Sequence, residues 1–392
     1  MSGYLVRLSY LMTVMMEMTD NDAALRDWAA GFGPVLAANA ARYDAEGRWA
    51  QESYEHLREN GVLGLAMPTE LGGMGATIRQ TSIVQRELAK YCASTALALS
   101  MHQHVTAFTA WRYRREMPGA EATLRRVVED RIVLVSTGGA DFTCPRGNAL
   151  KVAGGYRVTG RKIFASQSPA GTVMSTMFAF DDPEQGRRVL NMAVPFADPG
   201  VTIHDTWNAM GMRATASNDV SVDDVFVPDE RVTANRPYGI VDPPLQIIVS
   251  IAFSIVNGVY LGVAKSAADN AIAAAASKAG DPIVQRQVGL MTHKLRVATW
   301  AHEGALSVVG DDPSPSVEMV VAVMAAKREI ATAGIEICEL AMEIAGGAAF
   351  FKGSPIERAY RDIRGAKFHQ FAPEATLTHA GRFALGVPCD EM

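Results

Sequence analysis

The apolar period of this chain changes twice, and that limits the fold more than any single residue does. From Asp20 to about Arg126 apolar side chains recur every three to four residues, the spacing of a helix face. From Ile132 the period drops to two. Leu150–Ala153 and Tyr156–Thr159 flank Gly154-Gly155 as a hairpin, and strand-like runs follow over 174–180, 189–194 and 220–227. Turn clusters, Asp181-Asp182-Pro183 and Ala197-Asp198-Pro199-Gly200, separate those runs. After Pro243 the helical spacing returns. Val323, Ala326, Ile330, Ala333, Ile337, Leu340, Ile344 and Gly347 then make a seam for antiparallel helix packing.

Strands with no helices between them favour an antiparallel sheet over a Rossmann unit, and no GxGxxG follows a strand. The expected class is α+β. It comprises a disordered extension over 1–19, an N-terminal helical domain over 20–130, a middle antiparallel β-domain over 131–238 and a C-terminal four-helix bundle over 239–392. Within the first domain, Leu71-Gly72-Gly73-Met74-Gly75 breaks the helices, and a long helical run is expected from Ile78 to Ser100.

Composition removes several function classes. A net charge of −5 over 392 residues offers no concentrated basic surface for nucleic acid. Cys92, Cys144, Cys338 and Cys389 show no zinc or disulfide spacing, so no metal is expected and a reducing cytoplasm fits. Met1–Met18 lacks the charge order and cleavage site of a signal peptide. The uncharged run Pro243–Ala264 is long enough to span a bilayer. Yet Gln246, Ser250, Ser254 and Asn257 recur on one face and two prolines open it, so a buried bundle helix is expected instead.

Five ordered motifs give the chain a resemblance to the acyl-CoA dehydrogenase superfamily, from about Asp20 to Gly386. Pro68–Gly75 resembles that family's Pro-Glu-x-x-Gly-Gly-x-Gly turn, and Gly160–Ser166 its Gly-x-Lys-x-Trp-Ile-Thr strand. Met210–Ser217 resembles its Met-Gly-x-Arg-x-Ser/Thr-x-Ser loop, with Val225-Phe226-Val227-Pro228 after it. Glu343–Gly347 resembles the Gln-x-x-Gly-Gly helix end.

The resemblance implies a tightly bound FAD. Ser136, Thr137 and Ala140 stand in its flavin loop, and Phe164, Ala165 and Ser166 stand where Trp-Ile-Thr lies against the ring. Gln287, Gly346, Gly347 and Thr376 complete the expected cofactor set. Gly346-Gly347 serves equally as a close backbone approach or as a helix end. The resemblance also implies a homodimer or homotetramer, whose FAD sites a neighbouring subunit completes.

The activity it implies is oxidation of an acyl-CoA or acyl-carrier-protein thioester to the α,β-unsaturated thioester, with an acceptor such as electron-transfer flavoprotein. That chemistry needs a carboxylate base, and Glu374 in Glu374-Ala375-Thr376 is the candidate once extra residues are allowed after Asp362. Glu374 also suits the opening turn of the last helix. The family's bundle arginine is absent, Phe253 or Ser254 standing there, and His102, His104 and His369 fall where monooxygenases of the same fold place histidines. A reduced-flavin monooxygenase and a flavin-free scaffold are therefore the alternatives.

Overall fold

The computed structural model describes residues 20–137 and 141–388, so the extension expected over 1–19, Ala140 and Cys389 lie outside the described residues. Six helices come first: α1 (Asp20–Gly31), α2 (Gly33–Glu46), α3 (Gln51–Glu59), α4 (Ile78–Ala89), α5 (Ala93–Tyr113) and α6 (Ala120–Glu129). Thr77 and Gln80 start α4 with a reciprocal capping box, each side chain accepting from the other's backbone N–H. The expected continuous helix from Ile78 to Ser100 is two helices. Cys92 takes an extended backbone (φ −146°, ψ 100°), which ends one helix and re-aims the next. That turn sends α5 across the bundle toward the sheet.

The middle sheet has eight strands: β1 (Leu134–Ser136), β2 (Asn148–Val152), β3 (Gly155–Ala165), β4 (Val173–Asp182), β5 (Gly186–Pro195), β6 (Val201–His204), β7 (Asn218–Pro228) and β8 (Val232–Pro237). Their order is β6-β7-β3-β2-β4-β5-β8, with β1 also on β4. Most pairs are antiparallel as expected, but β1 and β2 both run parallel to β4. The chain enters the sheet directly from the helical domain at Leu134, and that crossover makes the parallel pairing. The hairpin turn is Ala153-Gly154, with Gly154 at φ +78°, because Gly155 already pairs with Val152. A Cβ on Gly155 would lie 2.3 Å from the Val227 carbonyl oxygen, so that glycine serves sheet packing.

The bundle consists of α7 (Pro243–Ala274), α8 (Pro282–Val309) and α9 (Val317–Ala345), with the short α10 (Pro355–Asp362) and α11 (Ala375–Ala384) packed on it. Proline opens α7 and α8, where a missing N–H costs nothing. The apolar run Pro243–Ala264 is the core of this bundle. Nearly every residue from Leu245 to Ala264 is buried against α4, α5 and α9. On α9 the expected seam is buried from Val323 to Ile344 except for half-buried Leu340, while Gly347 is exposed. The sheet, α5, α7 and the segment after α10 enclose a deep, mostly apolar cavity.

Candidate functional site

The first wall of that cavity comes from the sheet. Strand alternation buries Ala165 and turns Phe164 outward, half exposed, at the end of β3. Phe164 and Gln167 hold left-handed backbones (φ +58° and +60°) that ordinary residues avoid. Cross-links from three segments hold that strain. The Gln167 side chain accepts from Tyr54 Oη at 2.6 Å and donates to the Leu134 carbonyl at 3.0 Å. Its N–H donates to the Thr215 carbonyl at 2.8 Å. A hydroxyl chain runs Ser166–Ser217–Thr215, with 2.7 Å at each step, and ends on the Met212 carbonyl at 3.0 Å. Ser136, Phe164 and Ser166 line the cavity. Thr137 is buried beside Ser136, and its Oγ1 has no hydrogen-bond partner among the described residues.

The loop over 207–213 closes this wall. Trp207 meets Phe164 edge to face at 6.1 Å and donates its Nε1–H to the Met212 carbonyl at 3.0 Å. Gly211 is needed here, since a Cβ would lie 2.3 Å from the Arg361 carbonyl oxygen. Arg361 donates to Asp44, Glu357 and the Met210 carbonyl, and the Met212 N–H donates to Asp362. Burial pushes the Asp362 carboxyl up to about 6, against the opposing pull of that N–H.

The second wall is helical. Residues two apart on a helix point to different faces, and α5 uses both. His102 is fully buried and satisfied: Nδ1 accepts from the Leu134 N–H at 3.0 Å, so Nε2–H donates to the Leu63 carbonyl at 3.0 Å. It ties α5 to the start of the sheet. His104 lines the cavity. Its Nδ1 lies 2.9 Å from the Ser100 carbonyl, which can only accept, so the proton sits on Nδ1 and Nε2 is left to the cavity. Desolvation lowers it to about 4, so it is neutral at physiological pH.

Opposite stands His369, whose Nε2 is 2.6 Å from Tyr260 Oη. The phenol has that one partner among the described residues and is held protonated by burial, so it donates to Nε2 and the ring proton sits on Nδ1. Desolvation, then the charges of Lys327 and His104, push His369 down to about 3. Phe253, Val256 and Tyr260 follow one face of α7 and complete this wall.

The cavity has a volume of about 430 Å³. No Asp or Glu is among the residues lining it; its charged side chains are Arg361 and Arg364. The expected base is elsewhere. The Glu374 side chain, at the N-cap of α11, is 78% exposed and pairs with Arg328 at 3.3 Å. Thr376 is buried against its own turn, donating to the Pro373 carbonyl at 2.7 Å. Gln287 pairs with Glu343 at 3.3 Å on the bundle surface, and Gly346, at φ +70°, ends α9 with Gly347 exposed after it. None of these five joins the cavity of the single chain. Trp207, Phe142 and Tyr260 do, and no motif pointed to them. On α7 the three- and four-residue spacing of Phe253, Val256 and Tyr260 was the available signal.

The sheet wall fits a flavin ring: aromatic surface from Phe164 and Trp207, hydroxyls from Ser136 and Ser166, and an orphaned buried hydroxyl at Thr137. Three family models match in order: the acyl-CoA dehydrogenase N-terminal domain over 19–116, the middle domain over 136–225 and the C-terminal domain over 254–374. L-evernosamine nitrososynthase of a Micromonospora species is 28% identical over 369 residues, covering 88% of this chain and 85% of that protein. The mitochondrial short-chain specific acyl-CoA dehydrogenase of Bos taurus is 23% identical, covering 92% and 89%. The solved structure of KijD3 in complex with FMN and dTDP-3-amino-2,3,6-trideoxy-4-keto-3-methyl-D-glucose superposes with a TM-score of 0.85, at 25% identity and 96% coverage of each chain.

Proposed function

Because the chain belongs to the acyl-CoA dehydrogenase superfamily of flavin enzymes, whose members at this distance include both dehydrogenases and a nitrososynthase, we propose that its cavity decides the chemistry and makes it a reduced-flavin monooxygenase. The overall change is substrate, O₂ and reduced flavin to oxygenated substrate, water and oxidised flavin. FMN is the flavin we assign, on the likeness to the FMN complex of KijD3. The substrate is small and largely apolar, as the aromatic and aliphatic lining requires.

One observation carries the reading. Among the described residues the cavity is lined by two neutral histidines and no carboxylate, whereas α-proton abstraction from a thioester needs a carboxylate beside the flavin. The bound reduced flavin supplies the two electrons that activate O₂. The chain's own residues do the rest. Ser136, Ser166 and Phe164 orient the ring, and Thr137 offers it a buried hydroxyl. His104 Nε2 presents an acceptor and His369 a neutral donor ring, so a proton is held and passed within the cavity without a fixed negative charge. Trp207, Phe253 and Phe142 exclude water, which protects reactive species from hydrolysis.

The assay supplies FMNH₂ or FADH₂ from a separate reductase, with isotopically labelled O₂ and a panel of apolar amines and aromatic compounds. Incorporation of one labelled oxygen atom is expected, with FMN preferred. Anaerobic bleaching of bound flavin by an acyl-CoA, with no oxygen incorporated, overturns the proposal in favour of the dehydrogenase. The expected homo-oligomer has its support in Phe350 and Phe351, 80% and 71% exposed beside Gly346-Gly347. Light scattering at micromolar concentration tests it.

A further inference from the structure

Lys327 on α9 is 4% exposed and has no carboxylate within ion-pairing distance among the described residues. Its Nζ donates to the Phe371 carbonyl at 2.8 Å and lies 5.3 Å from the centre of the Phe253 ring. A buried cation without an anion is costly, so its surroundings matter. Phe371 holds a left-handed backbone (φ +59°) two residues after His369, and its ring packs on Phe253 and Phe142, both of which line the cavity. The ammonium therefore sits behind the helical wall, tied to the segment that carries His369.

We propose that Lys327 is a positioning residue for His369: its hydrogen bond to the Phe371 carbonyl sets the ring's place, and its ammonium adds to the desolvation that leaves the ring accepting from Tyr260. The claim rests on the monooxygenase reading for its catalytic meaning, but the charge coupling stands or falls alone. His369 faces Tyr260 from α7, His104 from α5 and Lys327 from α9, with Arg361 and Arg364 along the same cavity. Asp362, which ends α10 ahead of this segment, is buried and its carboxyl accepts from the Met212 N–H. Arg361 is paired with Asp44 and Glu357, and Arg364 with Glu339, which leaves Lys327 as the cation without a carboxylate partner among the described residues in this set; protonating the ring would also break the acceptor side of the Tyr260 bond. Burial lowers Lys327 itself to about 8, so its charge can be switched off without denaturing the protein.

The test is nitrogen NMR of the histidine rings in the full-length protein, with His369→Gln used to assign the signal. In the wild type the His369 signal should stay neutral down to about pH 4 and show a small step near pH 8 as Lys327 loses its proton. That step should vanish in Lys327→Arg, which keeps its charge throughout. Lys327→Met should raise the His369 midpoint by about one pH unit, the order expected when a nearby like charge is removed. A His369 signal flat from pH 7 to 10 in the wild type overturns the coupling, even if Lys327→Met fails to fold. So does an unchanged midpoint in folded Lys327→Met. If the coupling is found and no substrate is oxygenated, the monooxygenase reading fails and the positioning role survives.

Discussion

The two walls of the cavity are built on opposite plans. The sheet wall joins two contiguous motifs, 160–166 and 210–217, whose hydroxyls and left-handed backbones are locked to each other around Phe164, Ser166 and Thr215. The helical wall joins His104 from α5, Phe253 and Tyr260 from α7 and His369 from the segment after α10, and its histidines and phenol are neutral because they are desolvated. Rigid hydroxyl-bearing backbone suits holding a cofactor, and neutral imidazoles in a dry box suit moving a proton. The division predicts that damage to one wall leaves the work of the other intact.

The largest break should come from the helical wall. His104→Ala or His369→Ala is expected to lower oxygen-dependent turnover by about 10²–10⁴, the usual cost of losing a proton-handling group. Flavin affinity should change little, because neither ring belongs to the sheet wall. Fluorescence titration with FMN beside a turnover assay separates the two. A variant that keeps its turnover, or loses flavin binding first, would show that the walls are not divided in this way.

The desolvated histidines also make the fold sensitive to acid. His102 and His104 are lowered to about 4 and His302 and His369 to about 3, from an ordinary value of 6.5. Below about pH 6.5 the unfolded chain takes up these protons first, so the four contribute a loss of stability as pH falls toward 4. Asp362, raised to about 6, works the other way: its contribution is present at low pH and fades as pH rises through about 6. Near pH 5 these five groups leave a balance of about three protons, or a slope of about 4 kcal/mol per pH unit. Thermal melts from pH 7 to 5 should fall steeply, and His302→Gln should flatten the slope. A melting temperature unchanged across that range would contradict the neutral, buried state of these rings.

A smaller effect is expected on the sheet side. Tyr54→Phe removes the hydroxyl that donates to Gln167 and leaves a buried amide oxygen unpaired, at about 1–3 kcal/mol. Because Gln167 anchors the turn after Phe164, FMN affinity should weaken by up to about tenfold with turnover at saturating flavin preserved. Loss of turnover with unchanged affinity would place the cost on the wrong wall.

The same contrast explains what the sequence revealed. Gly160–Ser166 and Met210–Ser217 are contiguous motifs, so the sheet wall and the three-part fold could be read directly. The helical wall could not, since its members meet only through the packing of α5, α7 and the segment after α10. The histidines at 102 and 104 both stood out, yet which one faces the cavity depends on how α5 is rotated. Tyr260 was hidden in an apolar run whose polar stripe drew attention to Ser250, Ser254 and Asn257 instead. The Ser250 and Ser254 hydroxyls have no partner among the described residues, and Asn257 donates to the Val323 carbonyl at 3.5 Å.

Glu374 gives the smallest expected effect and the sharpest discrimination. Matching Glu374-Ala375-Thr376 to a catalytic motif required inserted residues, and the structure places those residues so that the carboxylate meets Arg328 at the surface. An exposed ion pair of this kind contributes about 0–1 kcal/mol, because water solvates both partners and salt screens them. Glu374→Gln should therefore leave melting temperature, FMN affinity and oxygen-dependent turnover within about twofold of the wild type, as surface substitutions away from packed features do. In an acyl-CoA dehydrogenase that used Glu374 as its base, the amide could not accept the α-proton, and anaerobic bleaching by substrate would stop. One variant assayed under both conditions thus separates the two chemistries. A large loss in either assay would mean that Glu374 reaches a reacting atom, and that the helical wall lacks its most important member.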